Sequence, residues 1–403
     1  MEKNNLGFWF RLSLFSLAVV ALYGALMRYK IAFDFPFFDQ RNLLHAHSHF
    51  AFAGWISQLL YAGLGLMIMP FLGAKGRQKY PILLALNFFM AAGMLIAFTI
   101  QGYKAVSILF STLSIVVAVA YAWCFTRDVK YLPATYPARP WALAGIWFNV
   151  LSAAGPFTLA FMMATRNIHQ DVYLASVYYY LHFQYNGWFF FGTMAIIISQ
   201  FPVMNIPLTR FFRLFLWSCI PAYLLSTLWL RLPSVLYGIT LIAAIVQLLA
   251  WFGLMMKVWP AVKRTNSVKP WYQVFFYAAA LAITLKFILQ AISAIPSLSQ
   301  LVFGFRPIVI AYLHLVLLGV YSLFFIGFLF AKRYLHSSKL LRAGAMAFLA
   351  GVVLNELLLA IQGFGAFAYV PIPYIHPMLF AAAVLLWGSA TIMAFKQGRG
   401  THE

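Results

Sequence analysis

Nine histidines stand among 403 residues, and six of them fall in the first part of four long apolar runs: His45, His47 and His49 in one, then His182, His314 and His376. Neutral imidazole is a ligand for haem iron and for copper, so such a set marks candidate metal ligands. His45 and His49 are i and i+4 and share a helix face, while His47 points roughly opposite. One helix can thereby serve two metals, or one metal and one hydrogen bond. A faint internal repeat accompanies them: His49-x4-Gly54-Trp55, His182-x4-Gly187-Trp188 and His314-x4-Gly319-Val320. A lone histidine near a helix end is more often hydrogen-bonded than ligating; six sharing one depth on four helices point to metal or haem. The remaining three, His169, His336 and His402, lie in loops or the tail.

Other ionisable groups are scarce. Of seven carboxylates only Glu356 lies deep in an apolar run, and Lys286 is the one cation so placed if Arg11 sits at an edge. Such groups are costly in a bilayer and face a bundle interior or a water-filled cavity. A Glu356–Lys286 pair would neutralise two expensive charges; alternatively Glu356 passes protons to a metal site. Arg41 and Arg306 flank the histidine-bearing runs, where a guanidinium fork could hold a haem propionate or simply anchor the interface. Cys124 and Cys219 occupy separate apolar runs and no CxxCH is present, which argues against a disulfide framework and covalent haem.

The elements that carry these residues follow from composition. The chain is 64% hydrophobic and 9% charged, far from the roughly 25% charged residues of soluble domains. Its formal charge of +21 is spread over short loops rather than gathered in a patch, which excludes nucleic-acid binding. A span needs about 20 apolar residues, and that ruler gives twelve helices: 7–27, 44–69, 81–102, 105–125, 141–165, 173–199, 208–230, 233–256, 271–294, 307–331, 340–362 and 371–395. The first has no small-residue cleavage site and reads as a span, not a removed leader. Lysines and arginines such as Lys75, Arg127, Arg210, Lys269, Arg333 and Arg399 gather on one side, with fewer, such as Lys30, Lys104 and Arg231, on the other. The positive-inside rule then puts both termini in the cytoplasm. The expectation is an all-α, polytopic, single transmembrane domain over 1–403. The histidine helices (44–69, 173–199, 307–331 and 371–395) start outside, and a pseudo-threefold 4+4+4 bundle would make the repeat equivalent.

With histidines on helices two, six and ten, the layout resembles the catalytic subunit of haem–copper oxidases and their nitric oxide reductase relatives. Arg41-Asn-Leu-Leu-His45 looks like the opening of that family's second helix. His182-Phe-Gln-Tyr-Asn186-Gly187 is similar to its sixth-helix pattern with Asn for Glu, and Ala311-Tyr312-Leu313-His314 sits where a His-x-His belongs. The seventh helix has no histidine pair, and Tyr312 replaces one histidine of the tenth. The His-Ala-His opening of helix two also looks like NnrS-type haem- and copper-containing membrane proteins.

The resemblance implies a haem, of b-type, and copper or non-haem iron near the outer face. His45, His49, His314, His376, Arg41 and Arg306 are the implied cofactor-binding residues; Glu356 and Tyr312 are the implied catalytic ones. The metal set is His45, His47, His49, His182, His314 and His376. The expected activity is a membrane oxidoreductase acting on nitric oxide or dioxygen, fed by a partner subunit or quinol in a bacterial inner membrane. The alternatives are a non-catalytic haem, copper or nitric oxide binding protein, and a proton- or metal-coupled transporter.

Overall fold

In lipid every backbone N–H and C=O must be satisfied within the segment, which leaves helices as the available form for these apolar runs. In the computed structural model, which describes residues 3–201, 207–230, 232–264, 270–295, 298 and 304–396, all regular structure is helical. Arg231, Lys269, Arg399 and His402 lie outside the described residues. The α-helices are α1 (Lys3–Ala32), α2 (Gln40–Phe50), α3 (Gln58–Ile68), α4 (Ala74–Gln101), α5 (Ala105–Asp128), α6 (Arg139–Ser152), α7 (Ala154–Thr165) and α8 (Gln170–His182). They continue as α9 (Phe189–Gln200), α10 (Thr209–Ala222), α11 (Ser234–Arg264), α12 (Gln273–Ile292), α13 (Arg306–His314), α14 (Leu323–Ala331), α15 (Lys339–Phe367) and α16 (Ile375–Phe395).

Ten of the described helical stretches are long and apolar enough to cross a membrane, among them Leu6–Ala32, Gln40–Phe71, Arg306–Ala331 and Ile375–Phe395. The other two of the twelve sequence segments are helical but do not qualify, for different reasons. Segment 173–199 lies in the unbroken stretch from α8 to α9, whose Tyr, His, Gln and Asn side chains dilute its apolar character. Segment 208–230 holds only the 14-residue α10, which carries Pro221 and gives way to a 3-10 turn over Tyr223–Thr227. Bare apolar side chains cover much of the long helices: Ile100 is 76% exposed, Val235 74% and Phe364 74%. Outward surfaces of that kind belong against acyl chains, so the chain is a multi-pass membrane protein.

The chain divides into two compact units. The first comprises Met1–Tyr121, Trp271–Ala279 and Ile310–Glu403; the second comprises Ala122–Pro270 and Ala280–Val309. In the first, α1 runs along α16 and α2, and α15 packs on α16. Leu358, Leu359, Ile375, Leu379 and Ala382 form a buried knot there, against which Ile310 and Ala311 of α13 rest. In the second, α6 packs on α9 and α10 on α11. Gly145 of α6 makes the first approach possible, because a Cβ there would stand 2.8 Å from the Gly192 backbone nitrogen.

Candidate functional site

Among the described residues three π-helical segments interrupt the helices, and each follows a histidine. Ala51–Ser57 begins two residues after His49, Phe183–Trp188 directly after His182, and Leu315–Ser322 directly after His314. They contain Gly54, Gly187 and Gly319, the glycines of the sequence repeat. A π segment shifts backbone bonding by one residue, is rare, and is frequently found at functional sites. Side chains compensate for the broken register. Asn87 Nδ2 of α4 donates to the Ala53 carbonyl at 3.0 Å and to Gln58 Oε1 at 2.6 Å. Trp55 Nε1 donates to Ser322 Oγ at 2.9 Å, tying the first π segment to the third, and Ser322 Oγ donates to the Leu317 carbonyl at 2.8 Å. In the second unit the Cys219 thiol donates to the Asn186 carbonyl at 3.7 Å. Gln184 Nε2 there donates to Asn149 Oδ1 and Ser152 Oγ, both at 2.8 Å.

The helix opening at His45 is split between two faces, as its spacing requires. His47 turns toward α1, where its Nδ1 lies 3.0 Å from the Val20 carbonyl. A carbonyl only accepts, so Nδ1 carries the proton and Nε2 keeps its lone pair. Gly24, one turn beyond Val20, lies beside the ring: a Cβ there would make an ordinary contact with His47 Cε1 at 3.5 Å. His314 repeats the arrangement, its Nδ1 donating to the Ile310 carbonyl at 2.8 Å. The two imidazoles lie within electrostatic reach of each other, and Arg28 lies within reach of both. A histidine whose Nδ1–H is held by a carbonyl is oriented to ligate through Nε2.

His45 and His49 face α4 instead. The His49 ring stacks on Phe98 at 4.5 Å and 14°, and its Nε2 lies 3.0 Å from the Tyr103 hydroxyl. The His45 ring meets Tyr103 edge-on at 4.6 Å, and its Nε2 is buried without a hydrogen-bond partner.

His182 is placed differently. Its Nε2 donates to the Cys219 carbonyl at 2.8 Å, and Asn186 Nδ2 donates to its Nδ1 at 3.0 Å. Both ring nitrogens are therefore engaged, and ligation through Nδ1 would require Asn186 to let go. Nearby, Asn186, Cys219, Gln247 and Lys286 line a small cavity with Phe190, Phe191, Phe215 and Phe287. The Lys286 ammonium sits 3.9 Å above the Phe287 ring.

The remaining sequence candidates are more peripheral. His376 is exposed in the first turn of α16, and Arg41 and Arg306 are exposed at the starts of α2 and α13. Tyr312 is half-buried on α13, two residues before His314. Glu356 is half-buried on α15 and accepts from Asn355 Nδ2 at 3.2 Å. Among the described residues no group of three or more His, Cys, Asp or Glu side chains is arranged to hold a metal ion.

Sequence reasoning passed over Arg28, Val20, Gly24 and Tyr103. A basic residue near the end of an apolar helix and a glycine within one carry no distinguishing signal, and a backbone carbonyl leaves none. The i, i+4 spacing of His45 and His49 did signal a shared face, and Tyr103 is what that face meets. Scanned against models of known protein families, the chain matches none, and a search of curated proteins finds no match either.

Proposed function

We propose that this chain is a haem-binding, redox-active membrane protein in which His47 and His314 would hold the haem iron. The observation that carries the proposal is their shared preparation: each Nδ1–H is held by a backbone carbonyl, and each leaves Nε2 open. The donor set fits iron, since imidazole is its common axial ligand and a hydrogen bond on the far nitrogen fixes ring orientation and raises basicity. A haem bound there supplies one-electron chemistry. The chain's own residues orient the imidazoles, and the Trp55–Ser322 bond ties together the π segments that follow them. Arg28, within electrostatic reach of both histidines, supplies positive charge for propionates, with Arg41 and Arg306 at the helix starts as further candidates.

With an imidazole from each of His47 and His314 holding it, a haem there would supply electron transfer rather than a place for a gas to bind. Reduction of nitric oxide or dioxygen would need a second metal. His182, the sixth-helix candidate for it, has both nitrogens in hydrogen bonds, and this ranks the gas-reducing reading second. Twelve spans in three arcs of four, both termini in the cytoplasm of a bacterial cell, and a quinol or partner subunit as electron donor belong to the same proposal.

The test is haem content in variants. Purified from cells supplied with haem, the wild-type protein carries b-type haem, and His47→Ala and His314→Ala each lose it or turn it five-coordinate. Full haem content with an unchanged spectrum in both variants would rule out this ligand pair.

A further inference from the structure

The geometry points to a second, separate site, for a divalent first-row transition ion with Cu(II) foremost, built from His45, His49 and Tyr103. It uses the face of α2 that His47 does not. Three observations converge on it. His49 Nε2 and the Tyr103 hydroxyl oxygen stand 3.0 Å apart. Two donors about 2.0–2.1 Å from one ion, at right angles about it, are about 2.9 Å apart, so the pair already has the bite of neighbouring ligands. His45, one turn before His49 on the same face, keeps a buried Nε2 that no protein group satisfies, and it lies within electrostatic reach of His49. Buried nitrogens of that kind are rare in folded proteins and call for an explanation such as an ion or water.

The third donor is held by backbone geometry. Gly102 ends α4 at φ 64°, in the left-handed region. A Cβ there would collide with the Asn42 side-chain oxygen of α2. Only glycine makes that turn so close to α2, and the turn lays Tyr103 across His45 and His49. Tyr103 is 41% exposed, which gives an ion a route from water.

Two imidazoles and an oxygen suit copper and zinc, and affinity rises to Cu(II) along the divalent series. Binding exchanges one proton: the O–H bond of Tyr103 breaks, the phenolate oxygen bonds the ion, and the proton leaves to solvent. Neither redox chemistry nor a further reactant is involved. The remaining coordination positions fall to water.

The experiment is Cu(II) titration of the full-length, tag-free protein in detergent, read by equilibrium binding and electron paramagnetic resonance. The expected result is a tight Cu(II) with hyperfine coupling to two imidazole nitrogens. His49→Ala and His45→Ala should bind roughly 10- to 100-fold more weakly, at least the loss that even outer-shell changes cause. Tyr103→Phe should weaken binding and remove the phenolate charge-transfer band. His47→Ala should keep the copper signal whatever becomes of haem, so failure of one site is distinguishable from failure of the other. Protection of His45 and His49 from imidazole acylation by Zn(II), read by mass spectrometry on the wild type, needs no variant. A wild type that binds Cu(II) no tighter than the His45→Ala/His49→Ala double variant, or no protection by Zn(II), overturns the assignment.

Discussion

At the scale of single residues, four of the six helix histidines take up three different states. His47 and His314 are held through Nδ1 and open at Nε2, His45 has an unsatisfied Nε2, and His182 is engaged at both nitrogens. Sequence spacing separates His47 from His45 and His49, because three helical positions fix three directions. It cannot separate His182 from His314. What distinguishes them is the partner: Asn186 of the following π segment in one case, a backbone carbonyl of the same helix in the other. This account makes His182 a tie between α8 and α10 rather than a ligand. Asn186→Leu should then destabilise the protein by about 1–3 kcal/mol, the cost of leaving a buried polar group unpaired, seen as a lower thermal midpoint in detergent. Bound iron and copper should not change in His182→Gln. Loss of either metal from His182→Gln with the midpoint preserved would make His182 a ligand after all.

At the scale of elements, the sequence repeat has a structural counterpart. The three His-x4-Gly copies look weak on paper, since glycine is common in membrane helices, yet each coincides with a π segment. Apolar runs mark where helices lie but are silent about a change of register inside them. The repeat was the legible trace. One of its glycines has a clear packing role: at Gly187 a Cβ would stand 2.7 Å from Phe148 Cβ, where backbone and neighbour would both have to shift. Gly187→Ala should cost about 1–3 kcal/mol through overpacking. Gly238→Ala on α11, where an added Cβ meets nothing within 4 Å, should be neutral or stabilising by about 0.5–1 kcal/mol, as expected for alanine over glycine inside a helix. Equal midpoints for the two variants would show that the π segment tolerates the added methyl.

At the scale of the whole molecule, composition alone identified a helical membrane protein, because 64% hydrophobic residues leave no soluble alternative at this length. The count of spans was less legible. Among the described residues ten stretches meet the length and apolarity of a span, and the two sequence segments that do not are the polar α8–α9 stretch and the short α10. Both carry the cluster around His182 and Cys219, so the polar residues that blur a span are the ones that build its interior. Division into two units was invisible in the sequence, since the two units alternate along the chain in five pieces. The first unit holds the paired histidines on which the functional proposal rests. The most direct measurement is the absorption spectrum of the purified wild-type protein, oxidised and dithionite-reduced, before and after carbon monoxide. The account predicts a six-coordinate, low-spin b-type haem in both states that carbon monoxide leaves unchanged. A folded protein without haem, or a reduced haem that binds carbon monoxide readily, would contradict it.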